Sequence, residues 1–120
     1  IASVLKENNP DTYVVAIEPE KAAILSGKKI SSHLQMGIGD GVIPPILDQS
    51  LIDETVLVSD EEAIKVAKEL ALKEGIIAGI SSGTNVSVAL KLAKKLGKGK
   101  VVVTVLPDTG ERYYSTPLFD

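Results

Sequence analysis

Cysteine and tryptophan are both absent from the 120 residues, and the only aromatics are three tyrosines and one phenylalanine. Without cysteine there is no disulfide, no thiolate nucleophile and no Cys-ligated zinc, which fits a reducing, cytoplasmic home. With so few rings, the 44% of hydrophobic residues must build a core of Val, Ile, Leu and Ala, the kind of core found in sheets covered by helices. An excess of positive charge is also missing: the formal net charge is −3 and the lysines are scattered along helical stretches, so nucleic acid is not an expected partner. No apolar run approaches the ~20 residues that span a bilayer, and the first residues lack the basic-then-apolar pattern of a signal peptide. The lone His33 has no second histidine or carboxylate at ligand spacing, so a surface or hydrogen-bonded histidine is expected and no metal. A chain of this length makes one domain at most and is too short for two lobes with a cleft between them. It opens on Ile1 rather than Met, so further sequence is expected upstream.

What is present alternates between strand-like and helix-like stretches. Ile1 to Asn8 carries apolar residues at helical spacing and stops at Asn9-Pro10, and Tyr13-Val14-Val15-Ala16-Ile17 reads as a buried strand closed by a solvated Glu18. Glu20 to Leu25 has room for one or two helical turns ending at Gly27, and no periodicity lasts from Ser26 to Glu54. Thr55 to Val58 is a second strand. Ser59 with Glu62 three residues on forms a capping box for a helix that buries Ala63, Ile64, Ala67, Leu70 and Ala71 and ends at Gly75. A buried run, Ile76 to Ile80, leads through a Ser81-Ser82-Gly83 turn into a helix expected to bury Val86, Ala89, Leu90, Ala93 and Leu96 and to close at Gly97. Val101-Val102-Val103-Thr104-Val105 has the composition of a third strand, broken by Pro107-Asp108, and the tail from Glu111 to Phe119 is expected to pack back over the fold. This alternation implies an α/β fold, a mostly parallel twisted sheet with helices on both faces.

In such sheets the loops at the carboxyl ends of the strands make the site, which selects Glu18, Ser59, the Ser81 turn and Pro107-Asp108. Gly37-Ile38-Gly39-Asp40-Gly41 lies in the long aperiodic stretch. Its alternating glycines permit positive φ and let backbone amides approach a carboxylate or phosphate. A dinucleotide fingerprint is ruled out, because Pro44-Pro45 forbids the helix that must follow and no strand precedes. Ser81 and Ser82 carry adjacent hydroxyls at a helix start. By spacing alone they are either ordinary helix caps or part of a site.

Several segments, in order and with matching spacing, resemble the cysteine synthases, the O-acetylserine sulfhydrylases of the pyridoxal-phosphate fold type II group. They are Val15-Ala16-Ile17-Glu18-Pro19, the loop Gly37 to Pro44, Glu74 to Gly83 with its Ile80-Ser81-Ser82-Gly83, and Gly110-Glu111-Arg112-Tyr113 followed by Ser115 to Phe119. The resemblance implies a C-terminal segment of the catalytic chain, residues 1–120, mostly from the large cofactor-binding domain. The N-terminal half is absent, and with it the lysine that forms the Schiff base, the Thr-Ser-Gly-Asn loop and the phosphate loop. No catalytic residue is therefore assigned here, and the isolated chain is expected to be inactive.

The implied activity is β-replacement: elimination of acetate from O-acetylserine and addition of sulfide, giving L-cysteine. A cystathionine β-synthase-like enzyme and a non-catalytic α/β binding domain are the alternatives. Carried over by motif, Ser81 is the partner of the pyridine nitrogen of pyridoxal 5′-phosphate and Ser82 the helix cap. Pro107 and Asp108 wall the pyridine side, and Gly37 and Gly39 border the substrate pocket. Asp40 stands where the family often has a small residue, and Met36 where it usually has glutamine. The implied partners are small-molecule substrates, a second copy in a homodimer and serine acetyltransferase.

Overall fold

The computed structural model describes residues 1–120. Its elements are α1 (Ala2–Asn8), β1 (Val15–Pro19), β2 (Glu54–Val58), α2 (Asp60–Glu74) and α3 (Ile80–Leu96), with single 3₁₀ turns at Glu20–Ala22, Gln49–Leu51 and Gly110–Tyr113. β1 and β2 pair in parallel, Val15 opposite Glu54 through Pro19 opposite Val58. The pair is fastened at its start by Asp53, whose carboxylate accepts from Lys6 Nζ at 2.7 and 2.9 Å and from the Val14 N–H at 2.7 Å. The Lys6 hydrogen bond, then that of Val14, holds the Asp53 carboxyl below its ordinary pKa. β1 starts two residues later than Tyr13 and runs on through Glu18 and Pro19, since the backbone of Val14 is spent on the turn into β2.

α2 follows its local signals. Ser59 Oγ accepts from the Glu62 N–H at 3.2 Å, and Gly75 closes the helix at φ 69°, a left-handed value that suits a residue without Cβ. The capping box is only half made, because the Glu62 carboxylate reaches across to Lys91 on α3. α2 and α3 pack on each other, and α3 also packs on both strands. The core is Val58, Ala63, Ala67, Ile80 and Val88, closed by Tyr113 and Leu118 from the tail. The tail does fold back over the domain.

Four expectations fail here. Ser81-Ser82-Gly83 is not a turn but the start of α3, whose N-cap is Gly79. The buried part of α3 is its small, polar beginning, Ile80 to Thr84 with Ser87 and Val88, whereas Leu90 is 53% exposed and Ala93 and Leu96 lie open. The cause is Gly83: an added Cβ would run into the Ala63 carbonyl oxygen and stand 2.8 Å from the Ala67 nitrogen. Only the missing side chain lets the helix backbones approach there, and that approach selects the buried face. Lastly, Val101 to Val105 joins no strand, and Ile76 and Ile77 are exposed. No helix is long and apolar enough to cross a membrane.

Candidate functional site

At the carboxyl end of β1, Glu18 is buried rather than solvated. Its carboxylate accepts from the Leu25 N–H at 2.7 Å, the Ser26 N–H at 3.1 Å and the Ser26 hydroxyl at 2.9 Å. Glu18 therefore organises the turn that ends at Gly27. Three donors satisfy its oxygens, which is what burial of so polar a group requires.

The glycine loop lies against this end. Gly37, Gly39 and Gly41 all take positive φ, 85°, 69° and 79°, as their alternation implies. A Cβ on Gly39 would come within 2.8 Å of Pro19 Cγ and 3.1 Å of Ala22 Cβ, so the loop backbone rests directly on the end of β1. Around Gly37 there is open space. His33 is hydrogen-bonded, its Nδ1 accepting from the Gln35 N–H at 3.2 Å.

A polar cluster joins this loop to the end of β2 and to α3. Asp60, the first residue of α2, is buried, and its Oδ2 accepts from Lys21 Nζ at 2.8 Å. Its Oδ1 accepts from the Leu34 N–H and Gln35 Nε2, both at 3.1 Å. Burial pushes the Asp60 carboxyl up, but hydrogen bonds from Lys21, Gln35 and Leu34 outweigh it and leave the pKa below the ordinary value. Gln35, fully buried, also donates to the Val58 carbonyl at 2.9 Å and accepts from the Thr84 hydroxyl at 2.8 Å.

α3 begins at this junction. Ser81 is 3% exposed, while Ser82 is fully sealed with no hydrogen-bond partner for its Oγ. Ser82 is therefore not the cap: Gly79 holds that position, and no side chain caps the helix. Asp108 stands beside Gly79, whose N–H donates to the Asp108 carbonyl at 3.3 Å. A Cβ on Gly79 would strike Asp108 Oδ1 and come within 2.6 Å of the Tyr113 ring. Tyr113 donates its hydroxyl to Asp108 Oδ2 at 2.6 Å, and burial first, then this bond, pushes the phenol up to about 12. Asp108 Oδ1 has no partner, and Pro107 is exposed.

The structure thus brings Ser81 and Asp108 to the same helix start, and Gln35 and Thr84 tie the glycine loop to that helix. Gln35, Thr84, Asp60 and Lys21 are absent from the residues chosen by sequence. No local signal marks Gln35 and Thr84, which meet across 49 residues.

The start of α3 is thus buried, with the Ser82 hydroxyl unpaired, and the glycine loop packs on the end of β1 beside it. Residues 1–108 match the family model described as pyridoxal-phosphate dependent enzyme, and the chain belongs to that family. It is 46% identical over 119 residues to a cysteine synthase of Staphylococcus aureus strain Mu50, a match covering 99% of this chain and 38% of that protein. Among solved structures, the cysteine synthase of Entamoeba histolytica superposes with a TM-score of 0.94 at 39% identity, over 98% of this chain and 35% of that one. O-ureido-L-serine synthase does so with a TM-score of 0.93 at 42% identity, over 98% and 37%. The chain spans 38% of the length of the curated relative quoted.

The residues fit the family's cofactor. At the helix start the Ser81 side chain offers a neutral hydroxyl, which can hydrogen-bond a pyridine nitrogen without imposing a charge on it.

Proposed function

We propose that the chain is the C-terminal segment of a cysteine synthase, most of it from the large cofactor-binding domain, and that the complete protein converts O-acetylserine and sulfide into L-cysteine and acetate. The observation that carries this reading is the 46% identity to a cysteine synthase across 99% of the chain. The geometry supports it in that Gly39 packs on the end of β1 and Gln35, two residues before Gly37, is hydrogen-bonded to Thr84 in the first turns of α3. Pyridoxal 5′-phosphate supplies the electron sink that lets acetate leave from the β-carbon.

This chain's residues bind and orient. Ser81 gives one hydrogen bond to the pyridine nitrogen. It is favoured over Ser82 by the family motif, and the Ser82 hydroxyl is sealed. A neutral hydroxyl leaves that nitrogen largely uncharged, and a weaker sink suits elimination at the β-carbon. Pro107 and Asp108 wall the ring, and Tyr113 fixes the Asp108 carboxylate. Gly37 and Gly39 border the substrate, where positive φ turns the loop backbone sharply enough for its amides to face a carboxylate.

No lysine here matches the family's Schiff-base lysine, so the isolated chain is inactive. By the same likeness the complete enzyme is a cytoplasmic homodimer that takes small-molecule substrates and binds serine acetyltransferase. The test is the complete protein incubated with O-acetylserine and sulfide. Cysteine and acetate in equal amounts are expected, and cystathionine made preferentially from homocysteine would reassign it to the cystathionine β-synthase branch. Ser81→Asp is expected to keep the cofactor absorbance and lose most turnover, and unchanged turnover removes Ser81 from the role.

A further inference from the structure

Gln35 satisfies every polar atom of its side chain inside the protein. Its two N–H groups donate to the Val58 carbonyl and to Asp60 Oδ1, and its Oε1 accepts from the Thr84 hydroxyl. The amide orientation is fixed by these partners: turned over, it would set its oxygen against a carbonyl and a carboxylate. A fully satisfied buried amide of this kind specifies one arrangement of the segments it joins. Those segments are the carboxyl end of β2, the start of α2, the start of the glycine loop two residues before Gly37, and α3 one turn past Ile80. The Thr84 hydroxyl also lies 3.2 Å from the Ile80 carbonyl, so its single proton has two acceptors, of which Gln35 is the nearer.

We propose that Gln35 is a positioning residue, and that its hydrogen bond with Thr84 is the link through which the first turns of α3 hold the Met36 to Gly41 loop in its ordered form. The inference rests on reading the start of α3 as the pyridine end of the cofactor site and the glycine loop as the border of the substrate. Under it, occupation of the cofactor site tightens the loop through this one hydrogen bond. Neither residue touches the reacting atoms.

The experiment is hydrogen exchange on the complete protein, with and without pyridoxal phosphate, following segments 33–41, 60–74 and 79–85. In the unsubstituted protein the cofactor is expected to slow exchange in both 79–85 and 33–41. Thr84→Val, which keeps the shape and removes the hydroxyl, should keep the cofactor absorbance and the protection of 79–85 while segment 33–41 exchanges about tenfold faster and no longer responds to the cofactor. Thr84→Ser, which retains the hydroxyl, should restore that response, and segment 60–74 should be unchanged throughout. Gln35→Met is a second route to the same released loop should Thr84→Val not fold. A loop that responds equally in Thr84→Val and the unsubstituted protein overturns the link, as does Thr84→Ser behaving like Thr84→Val. Failure of the unsubstituted protein to bind the cofactor or to protect 79–85 overturns instead the reading of the site, and with it the role of the link there.

Discussion

Two aliphatic runs of similar composition end up in opposite situations. Thr55-Val56-Leu57-Val58 lies in β2, paired along its length with β1, with Val58 fully buried under α2 and α3. Val101-Val102-Val103-Thr104-Val105 pairs with no strand, leaves Val101 87% and Val103 85% exposed, and is tied down by Asn85 Nδ2 donating to the Val105 carbonyl at 2.8 Å. The difference is not in the residues. A strand is stabilised by neighbours that take its backbone hydrogen bonds and cover its side chains. β2 has β1 beside it, the Gln35 amide on its last carbonyl and two helices packed near its end. The valine run has none of these within the chain.

The sharpest way to break the ordered region is at Gly83. Gly83→Val sets side-chain atoms against the Ala63 carbonyl and the Ala67 nitrogen, and is expected to cost about 3 kcal/mol or more, read as a lowered urea midpoint with unchanged slope.

Next is Asp60→Ala, which strips partners from Lys21, Leu34 and Gln35 and should cost about 2–3 kcal/mol, most of it from the buried Leu34 and Gln35 donors left unpaired. Because the folded Asp60 carboxyl lies below its ordinary pKa, its stabilisation is full above the unfolded carboxylate value and is lost as pH falls through the lower folded one. Urea midpoints measured from about pH 6 down to about pH 3 should therefore draw closer for the two proteins by the charge-linked part of the difference, while the unpaired donors keep the rest of the gap. Parallel curves would show that Asp60 acts without its charge.

Tyr113→Phe removes the donor to Asp108 and should cost about 1–2 kcal/mol. With the phenol raised to about 12, its contribution is complete below the ordinary tyrosine value and fades as pH climbs towards about 12. The Phe variant should lack that alkaline loss in a pH series of thermal unfolding.

The gentlest test addresses the contrast itself, using the absence of cysteine from the chain. Val103→Cys should react with a thiol reagent at nearly the rate of an unfolded peptide, and Val58→Cys should be protected by orders of magnitude. Protection of Val103→Cys in the complete protein would mean that segments outside these residues cover the run.

Where signals are local, sequence reading succeeds. Ser59, Glu62 and Gly75 delimit α2 because a cap and a left-handed closing glycine act within one turn. The alternating glycines announce positive φ for the same reason. Reading fails where the deciding partner is distant. The stripe Val86, Ala89, Leu90, Ala93 and Leu96 is amphipathic as written, yet the buried face is the one that Gly83 brings against α2. Glu18 looks like a solvated strand end until the turn at Leu25 and Ser26 wraps its donors around it. Gln35 gives no sign in sequence, since its partners lie 23, 25 and 49 residues away. Ser82 looks like a cap because serine usually is one, but Gly79 takes the position when Asp108 and Tyr113 crowd the helix start.

The contact at Gly83 also bears on what genetics can repair. The atoms that oppose a side chain there are the backbone oxygen of Ala63 and the backbone nitrogen of Ala67, and every amino acid substituted at those two positions brings the same oxygen, and all but proline the same N–H. A larger residue at 83 therefore has no second-site suppressor among exchanges at 63 or 67. A screen for revertants of Gly83→Val should return glycine at 83 itself, or changes that shift a whole helix, and none that merely trim the facing side chains.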